Sequence, residues 1–461
     1  MTSCVADTRR SSRSRVAAWA LWDCGATGVN AVVVTFVFSV YLTGQVGSGL
    51  PGPTTPASWL GRALTIAGVC VALIAPATGV WVDATHRRRT ALAVLTGLVV
   101  AMTSAMSLIQ ADYHYLWPGL ALLACTAACS DLATVPYNAL LRDVSTPTTS
   151  GRISALGLAA GYFGSVLLLL VVYLGFIEGD GETRGLLGLA VADGQHVRAA
   201  MLLAAVWFVL FALPLLLSLR NSAPVDRRPV TGLVDAYRAL WQEVKGEWRR
   251  DRNVVYYLFA SAVFRDGLTG IFAFGAVLGV SVYGVSQADV LVFGICASST
   301  AAIGAVAGGQ LDDRVGSKRV IVGSLAAMIG IGLLLVALSG ALAFWICGLL
   351  LCLFIGPILA SARTLMLRMS AEGKEGTAFG LYTTAGRAAS FLAPWMFFTF
   401  IDLFGADRAG MAGLCGCWRR AWSRWRPYGS RGSTAFGTPK SRPVPLPRDR
   451  KARGEPSHRH H

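Results

Sequence analysis

The chain has 461 residues, 54% of them hydrophobic and 14% charged, with a formal net charge of +16. An average soluble domain carries about a quarter charged residues, so this composition excludes an ordinary soluble fold. Nor does the charge form a nucleic-acid footprint: the stretch from Cys415 to His461 holds 12 Lys/Arg against 2 Asp/Glu, +10 of the +16, and most of the remainder sits in short loops.

Residues 1–15, MTSCVADTRRSSRSR, form a basic arm. The apolar stretch after it is too long for a signal-peptide core and lacks a small-residue cleavage site, so it reads as a retained first span. Apolar blocks then cover 16–42, 58–82, 90–110, 116–140, 152–177 and 197–219, and, after a polar interval at 220–253, 254–283, 289–311, 319–339, 341–367 and 376–401. As helices these are long enough to cross a hydrocarbon core of about 30 Å, and a helix satisfies its own backbone polar groups there. The expectation is an all-α polytopic membrane protein with eleven clear helices, divided into a 16–219 half and a 254–414 half. A twelfth helix is due near Arg408, yet AGMAGLCGCW runs into RRAWSRWRPYGSRGS, which has no apolar core of spanning length. The twelfth span is therefore missing or degraded, and 415–461 reads as a basic, disordered tail.

Orientation follows from where the cations lie. The arm has Arg9, Arg10, Arg13 and Arg15; the even loops have Arg87, Arg88 and Arg89, then Arg142 and Arg152, then Arg314, Lys318 and Arg319, then Arg368 and Lys374. The odd loops have few, and the fifth, around IEGDGETRG, is acidic. The N-terminus and even loops are thus predicted to be cytoplasmic, in a multi-pass protein of the plasma (inner) membrane. Within the 220–253 linker, Leu233, Tyr237, Leu240, Trp241, Val244 and Trp248 recur at helical spacing, which predicts an amphipathic helix in the membrane interface. The ten cysteines are mostly inside apolar blocks. Cys125 and Cys129 lie a helical turn apart, but no His or carboxylate cluster completes a metal site, so no metal or cofactor is expected.

Two loops share a pattern: GVWVDATHRRR at 79–89 and GQLDDRVGSKR at 309–319. Gly79 and Asp83 correspond to Gly309 and Asp313. Each copy closes the second helix of a six-helix half, and two such halves in parallel repeat are the ground plan of a major facilitator transporter. The second copy, with Asp313, Arg314, Gly316, Lys318 and Arg319, closely resembles that superfamily's loop signature between helices 2 and 3 and between 8 and 9. The first departs from it: Ala84 stands where Arg is expected, and His86 where Gly is. Over residues 16 to 412, AAWALWDCGATGVNAVVVTFVFSVYL, VPYNALLRDVS, FRDGLTGIFAFG and FGLYTTAGRAASFLAPW resemble a narrower branch, that of the yeast vacuolar amino-acid effluxer of autophagy. The resemblance implies a cytoplasmic gate of Gly79, Asp83, Arg87, Arg88, Gly309, Asp313, Arg314, Gly316, Lys318 and Arg319. In it Asp313 faces the N-terminus of helix 5 near Gly151 and Arg152, and Asp83 that of helix 11 near Gly376. The weaker first copy implies unequal latches.

Ionisable residues at bilayer depth cost about 2.5–3.5 kcal/mol each on insertion scales. Asp23, Asp131, Arg265, Asp266, Arg363 and Arg387 are of this kind, and all but Arg387 fall on helices 1, 4, 7 and 10, which in the superfamily line the central cavity. With Asn30 and Asn138 they are the candidate substrate or proton pathway. The bland readings are that Arg363 snorkels to the interface, that Asp23 pairs locally and that the amides tie helices together. Arg265 and Asp266 point about 100° apart on a helix, so they cannot share a partner. Arg387 has two candidate partners, Asp266 and Asp131.

A mixed set of acids and arginines suits a zwitterion or organic anion. The expected function is therefore secondary active transport of a small polar or zwitterionic solute by a monomer in the lipid bilayer, with protons as a candidate coupling ion and no nucleic-acid partner. No catalytic motif argues for an enzyme. Two alternatives stand beside this: a transporter-like receptor or scaffold without flux, and a nonfunctional product. The second arises because GC-rich codons for Ala and Val, read one base out of frame, give Arg-Trp runs such as WRRAWSRWR, as a frameshift near residue 415 would.

Overall fold

The computed structural model describes residues 2–51, 55–85, 88–179, 181–218, 237–238, 241–242, 245, 252–285, 287–405 and 409–425. They form a helical bundle. The first half holds α1 (Thr2–Asn30, continued by wider and tighter turns to Val46), α2 (Pro56–Thr85), α3 (Arg88–Ala105), α4 (Leu116–Ala139), α5 (Ser150–Val172) and α6 (Gln195–Ser218). The second holds α7 (Arg252–Ser281), α8 (Gln287–Val315), α9 (Ser317–Ala337), α10 (Ala341–Met369), α11 (Glu375–Ala389), α12 (Leu392–Phe404) and α13 (Ala409–Trp425). Nine stretches among the described residues are long and apolar enough to cross a membrane. A two-residue hairpin, Thr183–Arg184 against Leu189–Ala190, interrupts the acidic fifth loop.

Within each half the helices pack closely because small residues remove side-chain bulk. A Cβ at Gly157 would strike Trp19, one at Gly304 the Leu353 carbonyl, and one at Gly308 Pro357. Between the halves two seams dominate, α2 against α11 and α5 against α8. The predicted spans match these helices to within a few residues at most ends, since length and hydropathy suffice to mark a membrane helix.

Two expectations are corrected. The single span at 376–401 is two helices, broken between Ala389 and Leu392. And the disordered tail does not begin at 415. α13 occupies the twelfth position and stays helical to Trp425, packed on α7, α9 and α12. Its 17 residues rise about 25 Å, and it is not among the apolar spanning stretches. Trp418 explains why it still docks: the indole is fully buried, in a slot left by Gly267 of α7 with Gly332 of α9 at its edge. Most of the amphipathic linker lies outside the described residues, although the Tyr237 hydroxyl donates to the Leu73 carbonyl.

Candidate functional site

The gate residues meet at the end of the bundle that carries the two repeated loops. α8 ends at Val315 and α9 begins at Ser317, so one residue makes the turn. That residue is Gly316, at φ 92°, a region L side chains rarely adopt. The turn leaves Asp313 in the last helical turn of α8, aimed across the seam at the start of α5. Its carboxylate accepts from the Gly151 amide at 2.9 Å, the Arg152 amide at 3.1 Å and the Arg152 Nε at 3.0 Å. Helix N-termini expose unpaired amides and a positive dipole end, which a carboxylate satisfies together. Gly309 permits the approach, since a Cβ there would strike Ala155 and the Gly151 carbonyl.

Asp83 does the same on the other seam. One oxygen accepts from the Gly376 amide at 2.8 Å, the other from the Thr377 amide at 2.7 Å and its hydroxyl at 3.0 Å. Gly79 lets α2 lie against the Gly376 backbone. Around this latch is a second layer. Arg88 reaches Glu375 at 2.5 Å and Asp83 and Asp143 at 3.5 Å each. The Arg142 Nε is 2.6 Å from Glu375, an ion contact without hydrogen-bond alignment, while its Nη2 donates to the Leu367 and Ser370 carbonyls. Sequence reasoning missed Glu375 and Arg368. Arg368 binds Asp312 at 2.7 Å and Asp313 at 3.4 Å, although a helix-end cation beside a loop acid gave some signal. Arg87 lies outside the described residues. Arg314 borders a polar cleft with Thr148, Arg152, Gln310 and Asp313, Arg319 donates to the Val315 carbonyl in its own turn, and Lys318 is half-buried at the start of α9.

Deeper in the bundle, two ion pairs join the halves. Arg363 of α10 lies 3.4 Å from Asp23 of α1 and over the rings of Trp19 and Tyr137, which stack on each other with centroids 4.5 Å apart. It is 15% exposed and turned toward Asp23 rather than snorkelling outward. Arg387 of α11 pairs with Asp131 of α4, which decides between the two partners left open above. Both remain partly exposed, at 22% for Asp131 and 39% for Arg387. Asp266 instead accepts from the Ala393 amide at the start of α12. Arg265 turns the other way, onto Tyr382 of α11. Asn138 is buried, and its carbonyl oxygen has no protein partner among the described residues. Asn30 is half-buried where α1 begins to widen.

Two helical halves joined at repeated acidic loops, with charged pairs between them deeper in the bundle, fit a major facilitator transporter. The closely similar folds agree. The proton:xylose symporter XylE superposes with a TM-score of 0.68 at 14% identity, covering 91% of this chain and 95% of that one. A bacterial homologue of the iron transporter ferroportin, in an outward-facing state, gives 0.67 at 15% identity over 91% and 100%. The family profile described as "Vacuole effluxer Atg22 like" matches residues 137–416, and the chain belongs to that family. The uncharacterized MFS-type transporter YxiO of Bacillus subtilis is 22% identical over 398 residues, 86% of this chain and 90% of that protein. Autophagy-related protein 22 of Yarrowia lipolytica is 22% identical over 286 residues, 55% of this chain and 46% of that protein; the match spans about half the length of the fungal relatives. The protein is thus a multi-pass membrane transporter.

Proposed function

We propose that this transporter moves a small polar or zwitterionic solute, amino-acid-like or an organic anion, by alternating access coupled to protons, with Asp131 as the proton carrier. The observation that carries the reading is that both charged pairs at bilayer depth, Asp23–Arg363 and Asp131–Arg387, link opposite halves. Halves that rock about a midplane site must break such pairs in each cycle. A proton on Asp131 removes the charge that holds Arg387, which frees that pair to part. Asp266 is the weaker candidate, because its carboxylate is tied to a helix N-terminus within its own half.

By the distribution of cations, the latched end is cytoplasmic and the N-terminus lies on that side. The state described here is therefore the one closed toward the cytoplasm, and the protein works as a monomer in the plasma (inner) membrane. The gate set of Asp83, Asp313 and their helix N-termini closes this end.

Flux into proteoliposomes with an imposed pH gradient tests the reading. Wild-type protein is expected to concentrate solute, and Asp131→Asn to equilibrate without concentrating. An Asp131→Asn protein that still concentrates solute against its gradient would remove Asp131 from the coupling. Binding without any counterflow would favour a receptor.

A further inference from the structure

We propose that Arg265 is the seat for a carboxylate, or an anion of similar charge and shape, on the transported solute; the proposal rests on the transport reading above. It comes from the charges at bilayer depth. Arg363 has Asp23 and Arg387 has Asp131. Asp266 is next to Arg265 in sequence, but its carboxylate faces the Ala393 amide. Among the described residues no carboxylate lies within 4.0 Å of Arg265. A cation with no carboxylate in direct contact at this depth is costly and marks a substrate or ion pathway.

The surroundings of Arg265 hold the guanidinium without neutralising it. Its carbon lies 3.9 Å from the centroid of the Tyr382 ring, and Nη1 donates to the Tyr382 carbonyl at 3.1 Å. Gly386, one turn further along α11, makes room: a Cβ there would stand 3.1 Å from Nη1. A guanidinium has five N–H donors in a planar fork. One ring face and one carbonyl orient that fork and leave donors for a second planar group, the arrangement that suits a bidentate carboxylate.

The neighbouring charges favour the same ligand. Arg387 follows Gly386 directly, and Asp131 lies within electrostatic reach of both Arg265 and Arg387. Arg265 and Arg387 thus share Asp131, and of the two only Arg387 holds it directly, which leaves the Arg265 fork for the solute's carboxylate. An ammonium on the same solute would then find Asp131 nearby. Tyr382 is a positioning residue, acting through Arg265.

The test uses the full chain in nanodiscs. Phenylglyoxal, which modifies guanidinium groups, is applied and the modified peptides are quantified by mass spectrometry. The common amino acids and short dicarboxylates are added as protectants, each beside its neutral amide. Arg265 is expected to react faster than Arg363, and at least one free acid should slow its modification by about tenfold while the matching amide does not. That acid should raise the melting temperature of the wild type, and bind Arg265→Gln about tenfold more weakly. No protection by any acid, equal protection by acid and amide, or unchanged binding to Arg265→Gln would overturn the proposal. The protection measurement needs no variant, so a poorly folding Arg265→Gln does not blunt it. Flux of a neutral solute unaffected by Arg265→Gln would overturn the anion seat and leave transport standing. Protection of Arg265 by an acid that is never transported would do the reverse.

Discussion

Asp83 and Thr377 belong to opposite halves of the chain, and a single carboxylate oxygen of Asp83 takes both the Thr377 amide and the Thr377 hydroxyl, at 2.7 Å and 3.0 Å. The equivalent acid, Asp313, meets two backbone amides and an arginine that is 57% exposed. The two carboxylates are about equally buried, at 6% for Asp83 and 7% for Asp313; what differs is the set of partners around them. Ala84 and His86 weaken the sequence match without weakening the latch, because Arg88, Arg142 and Glu375 supply a second layer of charge.

Replacing Asp83 with Asn should therefore open the latched end more than replacing Asp313. Each loses a buried, charged acceptor of helix-end amides, worth about 1–3 kcal/mol, but Asp83→Asn also unbalances the Arg88–Glu375 pair beside it, whereas the Arg152 beside Asp313 is 57% exposed. A cysteine reporter in the cavity wall, labelled from the side away from the latches, measures this. Its labelling should fall in both variants, and further in Asp83→Asn. Unchanged labelling in Asp313→Asn would remove that residue from the gate.

Glu375→Gln should be strongly destabilising. Its carboxylate is 1% exposed and faces both Arg88 and Arg142, and breaking a buried pair from one side costs about 3 kcal/mol or more. The readout is the melting temperature of purified protein. A melting temperature equal to that of wild type would mean that water already compensates the two arginines.

Gly79→Val should prevent closure. The added Cβ would overlap the Gly376 carbonyl, and backbone cannot move aside as a side-chain tip can. The expected result is a protein that still folds but populates the opposite state, seen as cavity labelling from the latch side. Labelling indistinguishable from wild type would show that α2 and α11 have slack that this seam does not display.

Trp418→Ala tests whether the degraded twelfth helix belongs to the core. The indole is fully buried against Gly267, and truncating a buried aromatic side chain costs about 3–5 kcal/mol. A fall in melting temperature would show that α13 supports the bundle despite its Arg-Trp sequence. No change, together with a coding frame that restores about 20 apolar residues there, would support the frameshift reading.

Much of the architecture was legible in the sequence because a membrane imposes one rule on every span: enough apolar length, with the backbone satisfied internally. That rule placed the helices, and the distribution of Arg and Lys ordered their loops. The resemblance of the loops at Gly79–Asp83 and Gly309–Asp313 to the superfamily signature implied which helix ends the two acids would meet; the repeat alone marked only the acids. Ser390 and Phe391 gave no such warning. They sit inside an apolar run, and the break between α11 and α12 is defined by the meeting of Asp266 with the Ala393 amide.

Sequence by itself thus determined the membrane class, the two halves and the list of charges that must be reckoned with at bilayer depth. Only the tertiary structure decided their partners: Arg387 with Asp131, Arg363 with Asp23, Asp266 with a helix end, and Arg265 with a tyrosine ring. Hydropathy records that a charge is buried, whereas its partner depends on the rotation of each helix about its axis. That rotation is set by close packing of glycines and aromatic rings from segments far apart in the chain.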